Sequence, residues 1–229
     1  MFDVDLTLID SAGAGQIAMR AAGEEVCGEH FSFEGVSFGG RLDPLIFADA
    51  ISNCGFHDEQ ADQMHDDFRK VYTRKLSDLL NNNAHPVTAL PGIPALIDNL
   101  RQRASEHDDV MLGLLTGNYA QTATMKIEAA GIRRDWFTLG CFGDEADSRP
   151  GLSKLAIQRY AQLTGTPTDT DRVIIIGDTE HDIHCAKTNG CTAFGVATGR
   201  VSAEALKKAG ADIVVSDLSD PTPLLSMLA

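Results

Sequence analysis

The sequence predicts an α/β protein in which helices cover both faces of a parallel sheet. Short apolar runs with the character of buried strands recur along the second half of the chain, and helical patterns separate them. Polar groups follow directly after two of these runs, at the carboxyl ends of strands, where parallel sheets bind ligands. The strand runs are 110–115, 137–142, 173–176, 192–196 and 212–215, and the helical patterns lie near 91–106, 119–130, 152–163, 180–189 and 202–209.

The stretch from about 12 to 85 differs, because it has helical patterns and no convincing strand run. Within it, Asp43 and Pro44 have the pattern of a helix N-cap followed by proline at the first helical position. We interpret the stretch as a helical cap inserted after the first strand, so that 1–11 and 86–229 form the core and 12–85 the cap. The helical patterns of the insertion lie near 14–27, 43–54 and 58–81.

Composition limits the classes of partner. The chain has 229 residues, a hydrophobic fraction of 43% and a formal net charge of −14. The hydrophobic fraction is that of an ordinary globular protein. The acidic surface repels phosphate backbones, which argues against nucleic-acid binding. A small anionic substrate would need a local positive site to offset this field.

The cysteines and the apolar runs indicate a cytoplasmic protein. The five cysteines form no Cys-x-x-Cys pair and are odd in number, which favours free thiols in a reducing compartment. No apolar run is long enough to span a bilayer, so no membrane partner is expected. No signal peptide precedes the first motif, and the cytoplasm is therefore the expected location.

The acidic residues after the strands predict a metal site. Asp3 and Asp5 are two residues apart, so in a strand their side chains point to the same face. Asp178 follows the run 173–176, which is typical of a buried parallel strand. Three carboxylates that meet at one sheet edge repel one another unless a cation lies between them. Oxygen ligands favour a hard ion, and Mg²⁺ fits best.

Two further groups accompany these acids. Thr116-Gly117-Asn118 ends one strand run and opens a helix, where free N–H groups and the helix dipole attract anions. The same three residues are also compatible with a simple turn in which Asn118 caps the helix. Asp182 lies four residues after Asp178 and shares its helix face, either in the same site or as a solvated acid favoured by the dipole.

Taken in order, Asp3-x-Asp5-x-Thr7, Thr116-Gly117-Asn118 and Gly177-Asp178-x-x-x-Asp182 resemble the signature of the haloacid dehalogenase-like (HAD) hydrolase superfamily. The resemblance covers essentially the whole chain. The segments 39–44, 177–183 and 196–199 are similar to those of the phosphoglycolate phosphatase-like and β-phosphoglucomutase-like branch. The resemblance implies a Rossmann-like three-layer α/β/α core, a parallel sheet and an inserted helical cap.

The resemblance also implies roles for the acidic residues. Asp3 would be the nucleophile that takes the phosphoryl group as an aspartyl-phosphate. Asp5 would be general acid to the leaving oxygen and then general base to water. Asp3, the backbone carbonyl of Asp5 and Asp178 would hold Mg²⁺. Asp182 would be a further metal ligand or would accept hydrogen bonds beside the ligands.

For the phosphoryl group the resemblance implies Thr116, Gly117 and Asn118 as the binding segment, together with one cation. The branch usually has a Lys-Pro pair, where this chain has Arg149-Pro150. Arg149 is favoured by spacing, and Lys154, one turn into the next helix, is the alternative. A second departure is leucine at position 6, where glycine is more common.

Arg41 and Asp43 are weaker candidates for contact with the substrate from the cap. Alternatively, they mark a capped helix start with an exposed arginine.

The leading hypothesis is a Mg²⁺-dependent phosphomonoesterase that acts on a small phosphorylated metabolite. A phosphosugar mutase shares all of the core residues. A 2-haloacid dehalogenase of the same superfamily is a weaker alternative, because that chemistry has no alkoxide to protonate and leaves Asp5 and Asp178 without a role. A non-catalytic binding protein that keeps the fold stays open, since a fold alone does not establish activity.

Overall fold

The computed structural model describes residues 1–28, 30–56, 58–82, 85–107 and 109–228. The strands are β1 (Ile9–Asp10), β2 (Thr88–Ala89), β3 (Gly113–Leu115), β4 (Leu139–Cys141), β5 (Ile174–Gly177), β6 (Thr192–Val196) and β7 (Ile213–Val215). The helices are α1 (Ala14–Cys27), α2 (Asp43–Asn53), α3 (Asp58–Asn81), α4 (Ile93–His107), α5 (Ala120–Ala129), α6 (Arg149–Thr164), α7 (Glu180–Thr188), α8 (Ala203–Lys208) and α9 (Thr222–Leu225).

The main sheet is parallel and has the first residues of the chain at its centre. Phe2 bridges in parallel to Leu114 of β3 on one side and to Ile176 of β5 on the other. β4 continues the sheet beyond β3, and β6 and β7 continue it beyond β5. Asp3 is fixed at the end of this central segment, because its N–H donates to the Ile176 carbonyl at 2.9 Å.

Alternate residues along the strands enter different hydrophobic cores. Leu114, Ile174 and Ile176 pack on the side of α4 and α5. Leu115 and Ile175 pack on the opposite side, in the apolar core that contains residues of α6, α7 and α8. This alternation follows from the period of two in a strand. The α/β/α layering and the parallel sheet are confirmed.

The helices of the insertion have an aromatic core of their own. Phe47 of α2 stacks on Phe68 of α3 with ring centroids 3.8 Å apart, and Tyr72 stacks on Phe68 in turn. Tyr119, from the start of α5, joins the same core. Aromatic pairs of this kind add to the stabilisation from burial alone.

Two short strands lie where the insertion meets the rest of the chain. β1 pairs antiparallel with β2, with Ile9 opposite Ala89. The proposed cap boundary near 85 follows Asn83 and Ala84, which lie outside the described residues, and the domain division stays a prediction. None of the helices described is long and apolar enough to cross a membrane.

Candidate active site

The groups of the site lie where the central strands of the sheet end. Asp3 ends the central segment, Thr116 follows β3 and Asp178 follows β5. All three side chains are buried. The carboxyl ends of neighbouring parallel strands therefore bring together residues that are far apart in the sequence, as the order of the motifs predicts.

Three carboxylates form the acidic cluster, which we define as Asp3, Asp178 and Asp182. One oxygen of each lies within 4.8 Å of the others, and all three residues are buried. Asp182 reaches the cluster from the first turn of α7, where its carboxylate accepts the Thr179 N–H at 3.0 Å. A donor set made only of carboxylate oxygens fits a hard divalent cation such as Mg²⁺.

Burial and mutual repulsion disturb the protonation of the cluster. Burial raises the pKa of Asp3 to about 6, although the Arg149 guanidinium opposes the rise. Burial also raises the pKa of Asp178 to about 8, and the charges of Asp182 and Asp3 add to the rise. The cluster is therefore short of positive charge near neutral pH, and a bound cation would supply it.

Arg149, the first residue of α6, is the cation of the cluster. One of its terminal nitrogens lies 2.9 Å from Asp3 Oδ1 and also pairs with Asp182. The other donates to the carbonyl oxygen of Gly40, in the cap, at 2.9 Å. Its Nε is buried and makes no hydrogen bond within the described residues. Arg149 is only 6% exposed, so its charge acts in a dry environment.

Lys154, the alternative cation, lies elsewhere. It is exposed on α6, and among the described hydrogen bonds and ion pairs none joins it to the acidic cluster. Of these two cations, Arg149 is the one that contacts Asp3 among the described residues.

Asp5 faces a different set of partners from Asp3. Its carboxylate accepts from Lys126 Nζ at 2.7 Å, from Asn118 Nδ2 at 3.0 Å and from Ser11 Oγ at 2.9 Å. Burial alone would raise the pKa of Asp5, but the Lys126 ammonium and these hydrogen bonds hold it below its usual value. The expected ligand role of Asp5 rests on its backbone carbonyl, and its carboxylate is not part of the acidic cluster.

Lys126 is a site residue that the sequence analysis missed. It lies on α5 and is 4% exposed. Its Nζ donates to Asp5 and, at 2.5 Å, to Asn118 Oδ1. A signal existed in the sequence, because Lys126 shares the buried face of α5 with Thr122, Ala123 and Ile127. A lysine on such a face is rarely buried unless it is paired.

Thr116 and Asn118 share one hydrogen-bond network. Asn118 Nδ2 donates to Thr116 Oγ1 at 2.9 Å as well as to Asp5. Thr116 is fully buried and Asn118 nearly so. Asn118 precedes Tyr119, the N-cap residue of α5, so it is not the helix cap itself. The segment places a hydroxyl, an amide and a helix start beside the acids.

The cap candidates have different surroundings. Asp43 was predicted as an N-cap, but Leu42 is the N-cap of α2. The Asp43 carboxylate instead accepts the Tyr119 N–H of the core at 3.2 Å, and burial raises its pKa to about 7. Arg41 pairs with Asp49 of the cap at 2.6 Å rather than with a core acid.

Leu6 adopts a backbone conformation that favours glycine. Its φ is 57°, in the left-handed region. This explains physically why glycine is the more common residue in the motif, and why leucine at this position carries backbone strain.

Gly117 lies directly against the backbone of Arg41 in the cap. A Cβ at this position would be 2.0 Å from the Arg41 carbonyl oxygen. We expect Gly117→Ala to lower stability by about 1–3 kcal/mol because backbone has to move. Gly39→Ala is the matched control, since no atom lies within 4 Å of the added carbon and φ is ordinary. Equal melting temperatures for the two variants would contradict the close approach.

The chain is similar to known hydrolases and phosphatases. A family profile described as HAD-hydrolase-like matches residues 148–221. The pyrophosphatase PpaX of Oceanobacillus iheyensis is 25% identical over 224 residues, which cover 96% of this chain and 92% of that protein. A phosphoglycolate phosphatase of Salmonella paratyphi A is 24% identical over 116 residues, or 51% of this chain and 44% of that protein.

Solved structures share the fold over nearly the full length. A β-phosphoglucomutase from Clostridium difficile superposes with a TM-score of 0.71 at 18% identity, covering 99% of this chain and 95% of that one. A hydrolase from Pseudomonas syringae has a TM-score of 0.70 at 21% identity, with coverage of 100% and 97%. A predicted phosphoglycolate phosphatase from Haemophilus somnus also reaches 0.70, at 15% identity and coverage of 98% and 96%.

Proposed function

We propose that this chain, a member of the haloacid dehalogenase-like hydrolase superfamily, is a Mg²⁺-dependent phosphomonoesterase for small phosphate esters. The position of Asp3 carries the proposal. Its buried carboxylate lies 2.9 Å from Arg149 and belongs to a cluster of oxygen ligands. Phosphoryl transfer needs a nucleophile, a cation and a metal at one point. The relatives named as pyrophosphatase and phosphoglycolate phosphatase support small phosphate substrates.

The first step forms an aspartyl-phosphate. A carboxylate oxygen of Asp3 attacks phosphorus, and the bond from phosphorus to the ester oxygen breaks with its electron pair on that oxygen. Asp5 is ionised in the free site, and we infer that it takes up a proton as the negatively charged ester binds beside it; it then delivers that proton to the leaving oxygen, which becomes an alcohol. In the second step water attacks phosphorus and releases phosphate, which restores the Asp3 carboxylate. Asp5 takes the proton from that water, so the cycle returns the site to its starting state.

The other groups hold the phosphoryl oxygens. Arg149 is placed to bind them because its guanidinium already lies against Asp3, and arginine forms parallel hydrogen bonds to phosphate. The hydroxyl of Thr116 and the start of α5 supply neutral donors. Asp3 and Asp178, with Asp182 beside them, would hold Mg²⁺, which offsets phosphate charge and orients the ester when bound.

Hydrolysis of a chromogenic ester tests this function. We expect the chain to hydrolyse p-nitrophenyl phosphate with Mg²⁺ and to lose that activity in EDTA. A panel of phosphoglycolate, sugar phosphates, nucleoside monophosphates and pyrophosphate then identifies the substrate class. Activity that is unchanged by EDTA would contradict the metal role. A folded chain that releases no phosphate from any member of the panel would contradict the phosphatase proposal.

The acidic cluster also predicts how stability depends on pH. A carboxyl with a higher pKa in the folded than in the unfolded chain binds its proton more tightly when folded. Its contribution to the free energy of unfolding therefore falls from about pH 4, the unfolded pKa, up to the folded pKa of Asp178, about 8. In EDTA we expect the melting temperature to fall as pH rises through this window.

Magnesium should reduce this fall, because a cation stabilises the ionised cluster. The pKa of Asp43 is also raised, so Asp43 contributes to the same pH dependence. Subtracting the melting temperature in EDTA from that in Mg²⁺ at each pH leaves the part that comes from the acidic cluster. Asp178→Asn is the control and should remove most of the difference. Identical pH profiles with and without the metal would show that the cluster binds none.

A further inference from the structure

We propose that Lys126 is a positioning residue of this site, which fixes Asp5 and Asn118 in the geometry that proton transfer to the leaving oxygen requires. The inference rests on the proposed phosphatase function and extends it to a residue on a different element. Lys126 lies on α5, two turns after the Thr116-Gly117-Asn118 segment.

The contacts form a closed triangle of side chains. Lys126 Nζ donates to Asp5 Oδ2 at 2.7 Å and to Asn118 Oδ1 at 2.5 Å. Asn118 Nδ2 donates to the same oxygen of Asp5 at 3.0 Å. Because its Oδ1 faces the ammonium, Asn118 has to present its NH₂ group to Asp5 and Thr116. Loss of the ammonium would free both the Asp5 carboxylate and the Asn118 amide to rotate.

The geometry of α5 allows the Lys126 side chain to contact Asn118 and Asp5. Side chains of a helix tilt toward its N-terminus, so a lysine in the last turn extends back toward the helix start, where Asn118 lies. Burying an ammonium is costly unless it is paired. Asp5 supplies the opposite charge, in an ion pair whose lysine side chain is 5% exposed.

The cap covers Lys126 from the other side. A Cβ on Gly15, near the start of α1, would lie 2.8 Å from Lys126 Nζ and 3.5 Å from the Tyr72 hydroxyl. Lys126 also lies close enough to Asp43 of α2 to lower its pKa against the effect of burial. Residues from α1 and α2 thus lie near the ammonium, and glycine at position 15 leaves the space that it occupies.

A positioning role predicts a specific kinetic pattern. Asp5 acts on the leaving oxygen only in the transition state, so losing its alignment should lower kcat and kcat/KM together and leave KM nearly unchanged. We expect Lys126→Met to lower kcat by about 10²-fold, the lower range for a general acid–base contribution. Methionine keeps the length and apolar stem of lysine, and Lys208→Met, on the exposed end of α8, is the matched control.

A double-mutant cycle separates positioning from simple support of the fold. If Lys126 acts through Asp5, replacing Lys126 should lower kcat little further once Asp5 has been replaced by asparagine. We expect Lys126→Met combined with Asp5→Asn to have a kcat within about twofold of Asp5→Asn alone. Multiplicative losses in the double variant would overturn the inference, as would a Lys126→Met variant as active as Lys208→Met. No hydrolysis by the wild-type chain would overturn the proposed function and the inference together.

A second variant perturbs Lys126 from the cap without removing its charge. Gly15→Ala places a methyl group 2.8 Å from the ammonium, in the first turn of α1. If Lys126 only supports the fold, Gly15→Ala should change the melting temperature at most and leave kcat at the wild-type value. If Lys126 positions Asp5, we expect kcat at least about fivefold lower even where the melting temperature is unchanged. Full activity in Gly15→Ala would contradict it.

Discussion

Replacement of Asp3 by asparagine should abolish phosphate release, with kcat at least about 10³-fold below the wild type. The carboxamide fills the same volume but cannot attack phosphorus and form an acyl phosphate. It also removes one of the carboxylate oxygens that meet in the acidic cluster. Hydrolysis of p-nitrophenyl phosphate at saturating Mg²⁺ measures the loss.

The same variant should stay folded. In EDTA its melting temperature should equal or exceed that of the wild type, because one negative charge leaves a buried cluster that has Arg149 as its cation. Asp98→Asn is the matched control, since Asp98 is exposed on α4. Asp3→Asn with near-normal activity would show that another group attacks the ester. Loss of activity together with unfolding would be a structural effect and would contradict the predicted stability.

Removal of Arg149 should lower both activity and stability, unlike Asp3→Asn, which should leave stability equal or higher. Arg149→Met should lower kcat by about 10²–10³-fold, the usual cost of losing one preorganised charge contact in the transition state. It should also lower the free energy of unfolding by about 3–5 kcal/mol, because Asp3 and Asp182 lose their shared buried partner. Kinetics and thermal denaturation measure the two effects on the same preparation.

Two comparison variants make the Arg149 result specific. Arg149→Lys keeps the charge but not the two-pronged contact to Asp3 and the Gly40 carbonyl, so its activity should fall between wild type and Arg149→Met. Lys154→Met removes the alternative cation and should retain wild-type activity, since Lys154 is exposed. The reverse order, with Lys154→Met inactive and Arg149→Met active, would contradict the assignment.

The layers of the fold were predictable because burial leaves a clear sequence pattern. The run 173–176 is apolar at every position, since its side chains alternate between two cores and both exclude water. Strand limits were less predictable. The apolar run from 110 suggests a strand, yet β3 begins only at Gly113. An apolar run indicates that its side chains are buried, but a strand also needs backbone hydrogen bonds to a neighbouring strand, and the run does not show where these begin.

The site was predictable as far as it depends on strand ends. Asp3, Thr116 and Asp178 follow strands that are neighbours in the sheet, so the motif order alone indicates their meeting. Lys126 was missed because its partner Asp5 is 121 residues away. Its place on the apolar face of α5 indicates that the lysine is buried, but not which acid pairs with it. The contact of Asp43 could not be predicted from its neighbours in the sequence either. Its sequence context predicts a helix cap, but tertiary packing directs its carboxylate to the core.

If Asp3 is the nucleophile, it becomes phosphorylated during turnover. The most direct test is to quench the enzyme during hydrolysis, reduce it with borohydride and map the products by peptide mass spectrometry. Borohydride converts an aspartyl-phosphate to homoserine. We therefore expect homoserine at position 3 of the wild-type chain. It should be absent when EDTA is present or when Asp3 is replaced by asparagine. Homoserine at another aspartate, or none while phosphate is being released, would contradict it.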